Sequence, residues 1–353
     1  MILQGVLNVE RSTKILLSSI GLVTLLLLFF VKAPLRFYWL TKTVQFYPKN
    51  ADSLCELGKM YYKGEGTPRD TSKAFECFQI AANLNSPYGH YKLGDMHSHR
   101  HDIQKGPETE PDFWKNIPLD LDKAVDHYAK AAVAGYANAY LRIGYFRING
   151  IGIKQDYSSA LGWFAKAAHL GKHKAQWWLG YLYSHAIGYV KKDYEEEASF
   201  WDMIPLDYPE ALKWYIRAAQ SGDPECQYMI GYFYEHGGDI MQEFPGIPLN
   251  HEEAVKWYTL AANQNFVFAL CQLAHLYHNG HGVEKDEKKA FDLYLGAAHR
   301  DNAAAQRWVG CSYEEGEGVG RNYHQALIWY KKASQNGDEL ALEYLNRLHR
   351  RLK

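Results

Sequence analysis

Histidines supply the first candidates for chemistry. His97, His99 and His101 alternate over one short stretch, and His275, His278 and His281 recur at intervals of three. Imidazoles so spaced can hold a metal ion, but neither group is accompanied by carboxylates or thiolates at a ligand spacing. The first group reads as a solvated loop and the second as a mix of surface and turn positions, so no metal is expected. His251-Glu252-Glu253-Ala254-Val255 begins like the zinc-binding helix of a metalloprotease, yet the second histidine is missing. Neither a Gly-x-Ser-x-Gly elbow nor a phosphate-cradling glycine loop occurs. The five cysteines (Cys55, Cys77, Cys226, Cys271 and Cys311) sit inside helical patterns and are expected as free thiols. These residues predict no enzyme, no cofactor and no small-molecule substrate. Net charge is −1, with 39 Lys and Arg against 40 Asp and Glu, so nothing marks a nucleic-acid partner.

The elements that carry these residues repeat. Gly58, Gly94, Gly144, Gly180, Gly231, Ala274 and Gly310 are spaced by 36, 50, 36, 51, 43 and 36 residues. An aliphatic residue precedes each: Leu57, Leu93, Ile143, Leu179, Ile230, Leu273 and Val309. A second column follows, Ala74, Ala124, Ala160, Ala211, Ala254, Ala290 and Ala326, each with an aromatic ring four residues on, from Phe78 to Tyr330. Apolar residues at i, i+4, i+7 and i+8 define one helix face, and Ala-x-x-x-aromatic defines a second. A small residue lets helices approach closely, and a ring one turn later fills the gap to the next layer. Asn85, Gly135, Gly171, Gly222, Asn265 and Gly337 stand where a left-handed residue stops a helix. A helical hairpin with two apolar faces cannot bury both alone, so a unit of about 36 residues predicts a stack.

The columns resemble the Sel1-like repeat family, cousins of the tetratricopeptide repeats. The resemblance is carried by Leu57-Gly58…Tyr61, Leu179-Gly180…Tyr183 and Ile230-Gly231…Tyr234, by Gly-x-Gly turns at Gly64/Gly66, Gly150/Gly152, Gly280/Gly282 and Gly316/Gly318, and by Lys-Ala at Lys73-Ala74 and Lys289-Ala290. It covers residues 51 to 349. It implies an all-α, right-handed α-solenoid of about seven helix-turn-helix repeats with a C-terminal capping helix and a basic tail at 350–353. It implies a protein-binding role, in which first helices line a concave groove.

Residues 15–31 form an uncharged, largely apolar run of roughly 25 Å as a helix. With flanks at 1–14 and 32–50, it reads as one transmembrane anchor, Phe37-Tyr38-Trp39 following at headgroup level. For a bacterial protein this places the chain at the inner membrane with a periplasmic solenoid.

Three insertions, near 97–118, 184–205 and 238–248, individualise the repeats. Two end alike, Phe113-Trp114-Lys115-Asn116-Ile117-Pro118-Leu119-Asp120 and Phe200-Trp201-Asp202-Met203-Ile204-Pro205-Leu206-Asp207, and the third echoes them with Ile247-Pro248-Leu249-Asn250. Ile-Pro-Leu reads as an extended lead-in with Asp120, Asp207 or Asn250 as the helix N-cap. Trp114 and Trp201 either tuck against the solenoid edge or meet a partner. Tyr145, Trp177, Tyr181, Tyr228 and Tyr232 form an aromatic stripe on the first helices, serving either packing or partner binding. The expected function is a protein binder, most specifically a bacterial immunity protein neutralising a secreted effector such as a type VI secretion lipase. The alternative is an envelope scaffold or adaptor in secretion, signalling or quality control.

Overall fold

A computed structural model of the chain describes residues 33–99, 117–185, 206–238 and 244–352. The expected anchor at 15–31, Trp114, Trp201 and His101 lie outside them. No helix among the described residues is long and apolar enough to cross a membrane.

Sixteen helices account for almost all the described structure: α1 (Ala33–Phe46), α2 (Ala51–Lys63), α3 (Thr71–Asn83), α4 (Pro87–His97), α5 (Leu121–Val133), α6 (Ala137–Asn149), α7 (Tyr157–His169), α8 (His173–Ser184), α9 (Tyr208–Ala219), α10 (Pro224–His236), α11 (His251–Asn263), α12 (Val267–Asn279), α13 (Glu287–Ala298), α14 (Ala303–Glu315), α15 (Tyr323–Gln335) and α16 (Glu339–Arg351). The departure from all-α is a two-residue parallel pairing of β1 (Gly237–Gly238) with β2 (Phe244–Pro245) at the third insertion. Two compact units divide the chain, residues 1–156 and 157–353. Each is a length of α-solenoid in which consecutive helices pack on one another.

Local sequence sets the helix ends. Asp70, Asp120, Asp207, Asn250, Asp286 and Asn322 cap the second helices, each side chain accepting from the backbone N–H three residues on at 2.9–3.0 Å. The expected stop residues Asn85, Gly135, Gly171, Gly222, Asn265 and Gly337 all have positive φ, and Asp301 fills the repeat that lacked one. Ile117 and Ile247, which lead into two caps, are buried.

The anchor glycines explain the packing. A Cβ added at Gly94 would fall 2.6 Å from the Tyr128 ring, at Gly231 2.7 Å from Tyr258, and at Gly310 2.6 Å from Tyr330. Each ring therefore lies on the first helix of its own repeat, closer than any side chain would permit. It also reaches the next repeat, as the sequence suggested: Tyr294 stacks on Trp308 at 5.4 Å and Tyr215 meets Phe233 at 5.8 Å.

The second glycine of each turn makes a different contact. A Cβ at Gly152 would strike Leu121, at Gly282 His251 and at Gly318 Glu287, the first residues of the preceding repeat's second helix. Gly66 presses in the same way on Ala33, so α1 stands where a preceding second helix would be. Its Leu40 is buried with Leu57, Met60 and Cys77. Phe37, which the sequence placed at a headgroup level, sits edge-on to Tyr61 at 5.3 Å. At the other end Leu348 of α16 is buried with Ala326 and Tyr330. The basic side chains are engaged there: Arg347 pairs with Glu314 at 3.0 Å and Arg307 with the α16 cap Asp338 at 2.9 Å.

Candidate partner-binding surface

The candidate rings stand on first helices, one turn apart and so on one face. On α8 Trp177 stacks on Tyr181 at 5.3 Å and 9°, and Tyr181 stacks on His185 at 4.1 Å. α10 repeats the column: Tyr228 and Tyr232 lie 6.1 Å apart at 26°, and Tyr232 and His236 4.3 Å apart. Both columns belong to the second unit. Tyr145 belongs to the first, on α6.

The column ends on a histidine for a physical reason. His185 Nδ1 lies 3.0 Å from the Tyr181 carbonyl and 2.9 Å from Ser184 Oγ, and His236 Nδ1 lies 3.1 Å from the Tyr232 carbonyl. A carbonyl only accepts, so Nδ1 carries the proton in this contact. Asn149 and Asn279 do the same work on α6 and α12, donating to the carbonyls of Tyr145 and His275 at 2.8 and 3.0 Å. Sequence reasoning passed over His185 and His236; the signal was a column, five residues past the anchor, that reads His99, Asn149, His185, His236 and Asn279.

The rings pack on one side and remain half-exposed on the other. Trp177 and Tyr232 lean on the cluster of Tyr215, Cys226 and Ile230. Tyr228 meets Tyr258 at 5.7 Å and Phe266 at 5.5 Å. The Trp177 indole N–H is shielded from water and makes no hydrogen bond of normal geometry, although the Glu225 carboxyl, raised chiefly by burial, is close enough to feel it. Behind the stripe, four of the second-helix ring-column tyrosines (Tyr128, Tyr215, Tyr258 and Tyr330) find a polar residue four past the anchor. Tyr258 Oη donates to Glu235 at 2.6 Å, Tyr330 Oη to Glu314 at 2.8 Å, and Tyr128 Oη lies 3.2 Å from Ser98 Oγ. Burial pushes the Glu235 carboxyl up, but hydrogen bonds from His275 and Tyr258 outweigh it and hold the group below the usual range. Where the ring is Phe78 or Phe164, the same position is Tyr62 or Ile148.

The first histidine group differs from its expected place, whereas His275 and His281 of the second stand at surface and turn positions. His97 is no solvated loop residue: it ends α4, only 6% exposed, stacked on His127 at 5.7 Å. His99 Nε2 lies 2.7 Å from the Ile117 carbonyl and ties down the end of the first insertion. His281 stacks on His251 at 5.1 Å, and His278 Nδ1 lies 2.8 Å from Glu287 Oε2. All five cysteines are free, and burial pushes the Cys77 thiol up to about 11.

Residues 51–86, 115–136, 137–172, 173–201, 199–223, 224–266, 267–302 and 303–338 match the model of the Sel1 repeat family. The stretch it passes over holds α4, which still places Gly94 under Tyr128. Over 299 residues the chain is 27% identical to a chitin synthase regulator of Saccharomyces cerevisiae, covering 84% of this chain and 39% of that protein. Over 142 residues it is 30% identical to an ERAD-associated E3 ubiquitin-protein ligase component of Arabidopsis thaliana, covering 40% of this chain and 20% of that protein. The chain thus spans well under half the length of either relative. A solved Sel1 repeat protein from Oxalobacter formigenes is 27% identical with a TM-score of 0.54, over 63% of this chain and 83% of that one. The yeast and plant relatives overturn the expected bacterial inner-membrane, periplasmic location, and nothing among them supports an immunity protein or a type VI effector.

Proposed function

The chain belongs to the Sel1 repeat family, and from that premise we propose that it is a non-enzymatic adaptor that binds a protein partner and regulates the complex it joins. The grip is assigned to Trp177, Tyr181, Tyr228 and Tyr232, with His185 and His236 at the column ends. The observation that carries this reading is the pair of stacked columns on α8 and α10. Rings held rigid on one side and half-exposed on the other offer contact area at little further entropic cost, as interface hot spots do. Tyr145 on α6 is kept as a separate contact of the first unit, and Trp114 and Trp201 as contacts of the insertions. The absence of an enzyme is supported by the motif residues themselves, which are occupied in packing and capping. A place in protein quality control is a second reading, favoured by the similarity to the ligase component.

The test is cross-linking and capture with the full chain, in parallel with Trp177→Ala/Tyr232→Ala, from the source cells. One stoichiometric partner retained by the native chain and lost by a double variant of unchanged helicity supports the reading. Equal retention by both removes the aromatic surface from it.

A further inference from the structure

The carboxylates missing around His278 in the sequence are supplied by the fold. His278 lies in the last turn of α12, Glu287 is the first residue of α13, and Glu317 sits between the two glycines of the next repeat's turn. One ligand atom from each falls within 4.8 Å of the others. The three border a cavity of about 120 Å³ whose wall also includes Tyr294, Trp308 and Cys311. His278, Glu287 and Glu317 are half-buried, which leaves the pocket reachable from solvent.

We propose that this pocket binds one divalent ion of the zinc class through His278, Glu287 and Glu317. The donor set decides the class. One imidazole and two carboxylates suit zinc and its first-row neighbours, whereas magnesium and calcium prefer all-oxygen shells of six or more. Cys311 is left out of the ligand set: its sulfur lies 3.4 Å from the Tyr330 hydroxyl, whose proton goes to Glu314. At present the charge is balanced by Lys285, whose Nζ lies 2.7 Å from Glu287 Oε1. That lysine is 58% exposed and can swing into water at small cost. An ion taking its place would join three segments from two successive repeats, so binding would also stabilise their junction.

The test is calorimetric titration of zinc chloride into the chelator-treated full chain. His278→Ala and Glu317→Gln are each expected to weaken one equivalent of binding by at least about tenfold. His275→Ala, outside the pocket, should leave that equivalent intact, and magnesium should not compete for it. Glu317→Gln keeps the bulk of the turn residue, so it decides the matter if His278→Ala misfolds. No zinc uptake by the native chain, or equal affinity in Glu317→Gln, overturns the proposal.

Discussion

The ring of Tyr330 covers Gly310 so closely that a Cβ there would sit 2.6 Å from Cδ1. Replacing a helical glycine by alanine normally gains about 1 kcal/mol of helix propensity. Overpacking of a filled interior costs about 1–3 kcal/mol, so Gly310→Ala should be net destabilising by up to about 2 kcal/mol. Gly162 on α7 is the control, because a Cβ there meets nothing within 4 Å. Gly162→Ala should stabilise by up to about 1 kcal/mol. Urea unfolding of both variants reads the opposite signs, and equal signs would refute the close-approach account.

The hydroxyl of Tyr258 and the carboxylate of Glu235 depend on each other. Glu235 is 8% exposed, and that hydroxyl is one of its few donors. Tyr258→Phe should cost about 1–3 kcal/mol, because a buried carboxylate loses a partner. Adding Glu235→Leu removes the stranded charge, and the double variant should recover part of that loss. A double-mutant cycle measures the coupling; additive losses would show that the two groups act independently.

The fold was legible because each packing role recurs down the chain: the contact that Gly310 makes with Tyr330 is written again at Gly58 with Phe78 and Gly94 with Tyr128. α1 was not, since Phe37-Tyr38-Trp39 matches no column and only the press of Gly66 on Ala33 gives the helix its place. The pairing of Tyr258 with Glu235 was written in the sequence but joins positions on different helices. Nothing in the sequence joins His278 to Glu287 and Glu317, because their proximity is made by the turn packing on α13. The aromatic stripe was visible, but how far each ring turns inward depends on neighbours such as Tyr215 and Phe266, not on spacing.

Asp95 stands where the other first helices carry residues such as Tyr181 and Tyr232, and it is 1% exposed. It accepts from Lys92 and Tyr128, both at 3.0 Å, with Arg142 Nε at 3.5 Å. Tyr128 is fully buried, so Asp95→Ala removes the charged acceptor of its hydroxyl and should cost about 1–3 kcal/mol. Asp95→Asn keeps one acceptor and should cost less. A loss below about 1 kcal/mol in Asp95→Ala, measured by denaturant unfolding, would mean that Ser98 satisfies the Tyr128 hydroxyl without Asp95.

The histidines of the first unit predict its response to acid. His127 Nδ1 lies 3.0 Å from His90 Nδ1, and its other face stacks on His97. Burial first, and then the neighbouring His90 and His97, lower His127 from 6.5 to about 4; Lys130 acts in the same direction and Asp126 opposes. Burial lowers His90 and His97 as well, against Asp126 for the one and Asp120 for the other. A group whose pKa is lower folded than unfolded leaves the unfolded chain with more protons between the two values. Stability is therefore intact above about pH 6.5 and is lost as pH falls towards 4, by up to about 1.4 kcal/mol per pH unit for each proton before solvent screening reduces it. Hydrogen exchange of α4 and α5 should accelerate over this window relative to α14 and α15, beyond the intrinsic pH effect. His127→Leu should flatten that dependence; an unchanged profile would place the acid sensitivity elsewhere.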